Sequence, residues 1–388
     1  MKKEINMLLA GFIILALTGG SCPGSNGSNQ ENNAQSAAAS GSTATDDTDA
    51  FVVTTDFTTG SFAVVHLADQ SVQSNVGSIL ADATATFFGD SLYVVNRLGQ
   101  DNIQTIKASD LVTETQFSTG NGSNPQDIAM VSAAKAYVSR LNEVSLLVMN
   151  PGTGDTLGTI DLTSHADADG KPEATGLLLH NDKLYAALGR LDQDAFLFPT
   201  DHSEIVIIDT VTNTVEKTLI TTVPNPYTDF VYHATMDRIL ISEVGFFGVN
   251  DGGIESINPT TGASEGLIVT EATMGGDIIA FDILSKTKGY AVVAGGTVCD
   301  NNAGTCQTNV TQLMSFNPTT GAKLATVFVG GPFTLVDVRF NSLGQAYLCD
   351  TTFTKPGIRI FDGTTDLPVN SDPIDTGLPP YKVVFFNR

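Results

Sequence analysis

The chain has 388 residues, of which 41% are hydrophobic and 16% are charged, a composition that supports one large all-β domain. Its formal net charge of −23 produces a field that repels nucleic acid and anionic membrane surfaces and favours cations or basic partners. We therefore expect no nucleic-acid partner.

Residues 1–22 resemble an export signal. Lys2 and Lys3 form a basic start, and the apolar run from Met7 to Leu17 is too short to cross a bilayer comfortably. The following LTGGSC segment resembles the lipobox of bacterial lipoproteins, although Gly19 replaces the usual Leu or Val. The pattern predicts lipidation at Cys22, with ordinary signal cleavage as the alternative.

Residues 23–49 contain no aromatic or branched aliphatic side chain. Such a segment cannot bury enough apolar surface to fold, so we expect a disordered tether. The folded domain is predicted to span residues 50–388, and the membrane contact is expected through the N-terminal lipid only.

Three kinds of strand recur along this domain, each seven times. A strand that runs into a turn rich in Asn, Asp, Pro, Thr and Gly recurs at His66, Ile106, Met149, Ile208, Ile257, Phe316 and Phe361. A second apolar strand begins at Ala50, Leu92, Ala136, Leu184, Ile239, Tyr290 and Ala346. A third begins at Ala83, Asp127, Thr175, Asp229, Asp277, Thr334 and Tyr381.

The last strand of the third kind, YKVVFF from Tyr381, has no partner after it in the sequence, so it is expected to pair with AFVVTTD from Ala50. Seven repeats over residues 50–388 correspond to roughly 48 residues per repeat, which is typical of a four-stranded propeller blade. The sequence therefore predicts an all-β fold: a seven-bladed β-propeller of four-stranded antiparallel blades, closed by pairing of the N- and C-terminal strands.

Two segments carry a family resemblance. LYVVNR and IVIIDTVTNTVEKTLI resemble the YVTN repeat of bacterial surface and periplasmic propellers, the YncE-like group. The resemblance implies a seven-bladed fold and no single activity, because fold does not fix function. With the lipobox, it implies a location in the bacterial cell envelope, as an outer-membrane lipoprotein or as an extracellular or periplasmic protein.

Two of the remaining cysteines, Cys299 and Cys306, flank the polar segment DNNAGT. In an oxidising compartment they are predicted to form a local disulfide, with metal ligation by two cysteines as the weaker alternative. Cys349 lies in an apolar strand and is expected to be a buried small side chain.

In a propeller, the connections that enter the inner strands and those that leave the second strands lie on one face, which we call the top face. Pairing residues blade by blade at these positions gives four pairs of opposite charge. The predicted pairs are Asp82 with Arg97, Asp127 with Arg140, Glu173 with Arg190, and Lys382 with Asp56.

Four carboxylates at the same level have no basic partner in this scheme: Asp229, Glu243, Asp277 and Asp350. Clustered carboxylates repel one another unless a cation compensates them. They are therefore predicted to bind Ca²⁺ or a basic ligand group, since hard cations prefer oxygen ligands. Solvated rim carboxylates are the alternative.

Long loops on the top face supply further candidates. The segment from Asp167 to Glu173, DADGKPE, resembles the opening of a calcium loop but lacks the twelfth-position Glu of an EF-hand. The loop from Leu191 to Ser203 carries Phe196, Phe198 and Asp201, which are predicted to contact a ligand or partner.

Two functional hypotheses follow. The first is a non-enzymatic binding or scaffold protein, expected to be monomeric, that recognises a surface protein or a small ligand. The alternative is a metal-dependent hydrolase resembling propeller lactonases. A haem-linked redox propeller is disfavoured because the sequence has no CxxCH motif and no Trp.

Overall fold

The computed structural model describes residues 47–195, 197–300 and 305–388, excluding the side chains of residues 296–307. The predicted signal peptide, Cys22 and the tether up to residue 46 lie outside this part of the chain. The first strand begins at Asp49, one residue before the predicted start of the domain. None of the helices among the described residues is long and apolar enough to span a membrane.

The described chain forms seven antiparallel sheets arranged as blades, and the strands are labelled in chain order. The first blade contains β1 (Asp49–Thr55), β2 (Gly60–His66), β3 (Val72–Ile79) and, from the other end of the chain, β29 (Pro380–Phe386). The second contains β4 (Ala83–Phe88), β5 (Ser91–Asn96), β6 (Asn102–Lys107) and β7 (Thr113–Ser118). The third contains β8 (Pro125–Ser132), β9 (Lys135–Arg140), β10 (Ser145–Met149) and β11 (Thr156–Asp161).

The fourth blade carries an extra hairpin on its top face. Its sheet contains β12 (Ala174–His180), β13 (Lys183–Leu188), β16 (Glu204–Asp209) and β17 (Thr214–Ile220), and its hairpin contains β14 (Leu191–Asp192) and β15 (Phe198–Pro199). Two short 3₁₀ helices lie on the same face: Thr163–His165 in the connection into β12, and Gln193–Ala195 between β14 and β15.

The last three blades complete the ring. The fifth contains β18 (Val231–His233), β19 (Arg238–Glu243), β20 (Gly253–Asn258) and β21 (Ala263–Thr270), followed by one helical turn, Glu271–Met274. The sixth contains β22 (Asp277–Ser285), β23 (Lys288–Asp300), β24 (Thr305–Phe316) and β25 (Lys323–Pro332). The seventh contains β26 (Leu335–Phe340), β27 (Gln345–Asp350) and β28 (Gly357–Asp362).

The outer edge of the seventh blade is irregular. After β28 the chain returns alongside it through two isolated bridges, Phe361 with Pro368 and Ile358 with Ile374. This segment occupies the position of the fourth strand. The seven-bladed antiparallel propeller predicted from the repeats is confirmed.

Closure of the ring depends on the pairing of β1 with β29. Asp49 lies opposite Phe386 and Val53 opposite Lys382, with a bulge beyond Val53. Phe386 also contacts Phe87 of the second blade, with ring centroids 5.8 Å apart. The C-terminal strand therefore completes the first blade and packs on its neighbour, as its lack of a partner in sequence predicted.

Neighbouring blades are joined by buried apolar layers and by repeated polar contacts. The hydroxyls of Tyr137 and Tyr185 donate to the carbonyls of Thr210 and Pro259, which lie in turns of the following blades. The Ser139 hydroxyl donates to the carbonyl of Thr175 in the next inner strand. These contacts satisfy polar groups that would otherwise be costly to bury between sheets.

Truncation after Leu378 tests the closure. Removing β29 leaves the hydrogen-bonding edge of β1 unpaired and the first blade without its inner strand, so we expect loss of the cooperative thermal transition in circular dichroism. Removal of only Asn387 and Arg388 is the control, because it costs no strand and only the partly exposed ion pair of Arg388 with Asp49. A native-like cooperative melt of the longer truncation would contradict the role given to β29.

The predicted disulfide has a compatible backbone arrangement. Cys299 and Cys306 lie directly opposite each other in the β23–β24 pairing. Opposed residues of an antiparallel pair have Cα atoms about 4.5–5.5 Å apart, within the range that a disulfide spans. The side chains lie outside the described part, so the bond stays a prediction.

Peptide mapping without reductant checks this bond. We expect a cross-linked peptide containing Cys299 and Cys306, and alkylation of Cys349 only after denaturation, because that residue is fully buried. Alkylation of both Cys299 and Cys306 in the native, unreduced protein exported to an oxidising compartment would show that the prediction is wrong.

Candidate functional site

One of the four predicted charge pairs forms as expected. The Arg97 guanidinium lies 2.8 Å from the Asp82 carboxylate, with Arg97 fully buried. The backbone N–H of Arg97 also donates to the Asp82 carbonyl. This pair fixes the start of β4 against the end of β5.

In the other three predicted pairs, the structure shows one side chain of each with a different partner. Asp127 accepts a 2.7 Å hydrogen bond from the backbone N–H of Leu177 in the next blade. Glu173 accepts from the N–H of Leu191 at 3.0 Å. Lys382 pairs with Asp229 instead of Asp56.

The four carboxylates predicted as a calcium site do not form a group of three or more ligand atoms within 4.8 Å of one another, so calcium binding by them stays a prediction. Among the described residues, the one cluster of at least three metal-ligating groups within 4.8 Å of one another is Asp167, Asp169 and Glu173. The four predicted ligands instead each bind a group of the protein, which supplies the compensation that a cation was expected to give.

The compensating partners differ from blade to blade. Asp350 lies 2.6 Å from the Arg359 guanidinium. Asp277 accepts from the N–H of Gly248 at 2.8 Å, and burial raises its pKa to about 6. Glu243 accepts a 3.0 Å hydrogen bond from the N–H of Val223, while burial and the neighbouring carboxyl of Glu255 raise its pKa well above its usual range.

Asp229 belongs to a buried charge network at the top of the central channel. Its Oδ2 atom accepts from Arg339 Nη2 and, at 2.5 Å, from Lys382 Nζ. Arg339 also lies 3.4 Å from the Asp337 carboxylate. Two carboxylates and two cations thus neutralise one another where β26, β29 and the connection into β18 converge.

These side chains surround a cavity of about 50 Å³. The network lines one part of it, and Ile279, Ala280 and Val336 supply apolar surface. The remaining lining residues are Tyr227, Thr228 and Tyr381. The cavity therefore offers charged, hydroxyl and apolar groups in one small space.

Aromatic rings from the top loops support the rim of this cavity. Phe247 packs edge-on against Tyr227, with centroids 5.3 Å apart. Phe57 packs edge-on against Tyr381 at 6.2 Å. Burial raises the pKa of Tyr227 well above its usual range, so its hydroxyl stays protonated and can donate or accept at neutral pH.

A separate carboxylate cluster lies in the top loops of the fourth blade. Asp169 accepts from the N–H of Gln193 at 2.9 Å, and Glu173 accepts from the Gln193 side-chain amide at 3.0 Å. Burial raises the pKa of Glu173 to about 8, assisted by the charges of Asp169 and Asp167. Burial also raises the pKa of Asp167.

This cluster corresponds to the DADGKPE segment. Its three carboxyl groups are of the type that Ca²⁺ prefers, but the loop supplies their hydrogen bonds itself. At neutral pH the raised pKa keeps Glu173 largely protonated.

The top face also carries exposed phenylalanines. Phe57, Phe198, Phe246 and Phe353 all lie in connections that leave second strands. They are the exposed phenylalanines among the described side chains, and Phe353 is 97% exposed. Large apolar groups exposed on one face are typical of an interaction surface.

The loop from Leu191 to Ser203, predicted to contact a partner, contributes one of these exposed phenylalanines. Phe198 is exposed, and the exposed Asp201 lies 3.5 Å from Arg190 and 2.9 Å from His202. Phe196 lies outside the described residues. Whether these residues bind a partner stays a prediction.

Sequence reasoning missed Arg339 and the pairing of Lys382 with Asp229. The two partners are separated by 153 positions, so no local pattern connects them. A signal was present in the inner strand from Leu335 to Phe340, where Asp337 and Arg339 interrupt an apolar run. Paired charges within an apolar strand indicate a buried network.

Comparison with known proteins supports the fold. No family model matches the chain, and no curated protein matches it in sequence. Apo AztD from Citrobacter koseri aligns with a TM-score of 0.52 and 12% identity, covering 87% of this chain and 97% of that one. A crystal structure of Citrobacter koseri AztD gives 0.52 and 11%, with the same coverage.

The WD40 domain of Neurospora crassa Pan2 aligns at a TM-score of 0.49 and 13% identity, covering 75% of this chain and 79% of its own. At these identities, the similarity to AztD shows the propeller fold alone.

Substituting Glu173→Gln tests the electrostatics of the fourth-blade loops. The folded-state pKa of about 8 lies above the ordinary value of 4.5, so unfolding releases a proton between those values and the free energy of unfolding falls as pH rises through them. Gln cannot ionise, so the variant should be more stable than wild type at pH 8 by about 1–3 kcal/mol, with little difference near pH 4.

Denaturant unfolding at several pH values measures this difference. Glu216→Gln is the control, because Glu216 is an exposed partner of Lys183 and should change stability little. Parallel pH profiles for wild type and Glu173→Gln would show that Glu173 ionises normally.

Proposed function

We propose that this chain is an envelope-tethered binding propeller that docks a partner protein through its top face. The observation that carries the proposal is the location of Phe57, Phe198, Phe246 and Phe353 in loops of that one face. Aromatic side chains supply large contact areas at low entropic cost and are enriched at protein interfaces.

The charge of the same loops favours a basic partner. Asp56, Asp194, Asp201 and Asp251 are exposed there. Lys355, an exposed lysine of these loops, is neutralised by Asp372 at 2.5 Å. A partner surface that combines basic and apolar side chains would complement both the field and the rings.

Location at the cell envelope is supported by the sequence. The lipobox-like segment ending at Cys22 favours a lipid anchor, and the YVTN-like segments favour a YncE-like envelope propeller. The length of residues 23–49 would allow the top face to reach partners away from the membrane.

Binding is favoured over a lactonase-like hydrolase by the chemistry of the channel. Metal-assisted hydrolysis needs carboxylates or imidazoles that are available to a metal and its water. Here Asp229 is held by Arg339 and Lys382, and Asp350 by Arg359. The charge of each carboxylate is therefore already neutralised by protein cations, which weakens its attraction for a metal ion.

Site-specific photo-cross-linking in intact cells tests the docking face. A photoreactive residue at Phe353 or Phe246 should give one defined protein adduct, because those side chains would be buried by the partner. The same residue at Val211 or Leu343 should not, since these exposed positions lie in turns of the opposite face. Equal adducts from both faces, or none from the top face, would refute the proposal.

Substitution then measures how much the exposed phenylalanines contribute to partner binding. With the photoreactive residue at Phe246, replacing Phe57, Phe198 and Phe353 together by Ser should reduce the adduct at least about tenfold, as expected when interface anchors worth about 1–2 kcal/mol each are lost. Replacing Val211, Leu343 and Leu367 by Ser is the matched control and should leave it unchanged.

A further inference from the structure

The channel cavity contains a buried carboxylate oxygen that lacks a partner. Asp229 is 1% exposed, and its contacts with Arg339 and Lys382 both fall on one oxygen, Oδ2. Its other oxygen, Oδ1, is buried and accepts no hydrogen bond from any described residue. An unsatisfied buried acceptor is costly, so the site is built to receive a hydrogen-bond donor.

A group inside the cavity can supply this donor, because Asp229 is one of the lining residues. The volume of about 50 Å³ has room for about three or four water-sized groups. A water cluster or a very small organic molecule fits this space.

Charge balance restricts the ligand further. Asp229 and Asp337 are matched by Arg339 and Lys382, so the network is neutral. A ligand that carried only an ammonium group, or only a carboxylate, would leave an uncompensated charge in a buried site. A ligand with both groups adds no net charge.

The geometry of the network suits such a ligand. One carboxylate presents its unpaired oxygen beside the two cations held on its other oxygen, so a site for an ammonium group adjoins a site for a carboxylate. The same cavity adds the apolar surface of Ile279, Ala280 and Val336 on one part of its wall.

We propose that this cavity binds a small zwitterion of the α-amino-acid type. The ligand ammonium donates to Asp229 Oδ1, its carboxylate faces Arg339 and Lys382, and a small apolar side chain contacts Ala280 and its neighbours. The proposal is independent of the docking face, because it rests on the channel and not on the exposed phenylalanines.

Isothermal titration calorimetry with glycine and L-alanine tests the proposal on the whole propeller. Methylamine and acetate, which each carry one of the two charges, and glycerol, which carries none, are the comparison ligands. We expect the amino acids to bind at least about tenfold more tightly than any of the three, the difference that loss of one charge-assisted hydrogen bond produces.

Two variants locate the site. Asp229→Asn should weaken amino-acid binding at least about tenfold, because the ammonium loses its charged acceptor. That variant also removes the partner of two buried cations and could unfold, so Ala280→Leu is the second: it fills the cavity and leaves the charges in place. Ala129→Leu is its matched control, since both alanines lie in inner strands and are 5% exposed, but Ala129 does not line the cavity.

The outcomes separate the alternatives. Amino-acid binding that Ala280→Leu abolishes and Ala129→Leu preserves supports the proposal. Absence of amino-acid binding shows that the cavity holds water only and overturns it. Equal binding of methylamine, acetate or glycerol, or binding unaffected by Ala280→Leu, also overturns it. A variant in which Phe198 and Phe353 are replaced by Ser, and Phe57 is kept because it packs on Tyr381 of the cavity rim, should still bind amino acids, so a failed docking face would not be mistaken for an empty channel.

Discussion

The pairing of β1 with β29 is the constraint on which the rest of the molecule depends. A blade needs an inner strand to satisfy the hydrogen-bonding edge of its second strand, and the first blade obtains one only from the far end of the chain. Once that strand is in place, each blade is covered by its two neighbours and the ring has no terminal blade. Lys382 lies in β29, so closure also delivers one of the cations that neutralise Asp229.

The inner strands are held to one another by a repeated use of aspartate. Asp127 accepts from the Leu177 N–H, Asp282 from the Phe340 N–H, and Asp337 from the Val383 N–H, each in the next blade around the ring. The inner strands of neighbouring blades do not share a backbone ladder, so a charged side chain bridges the gap. Some of the acidity that first suggests metal binding therefore has a structural role.

The two proposed sites lie on the same side of the propeller but depend on different interactions for binding. The docking face depends on exposed aromatic surface in an acidic field, where affinity comes from desolvation of a few anchors. The channel cavity depends on a neutral, buried charge network with one unsatisfied acceptor, where specificity comes from matching charges in a small volume. Phe57 links the two, because it is one of the exposed phenylalanines and also packs on Tyr381 of the cavity rim.

The sequence by itself determined the number of blades, the order of their strands and the partner of the last strand, because strand periodicity and turn chemistry are local and repeat. It also placed Arg97 beside Asp82, since the two lie in adjacent strands of one blade. It did not determine the partners of Asp127, Glu173 or Asp229, whose contacts lie in a loop or in another blade. Only the tertiary structure decided these, because closing the ring brings inner strands together whose separation in sequence exceeds any local pattern.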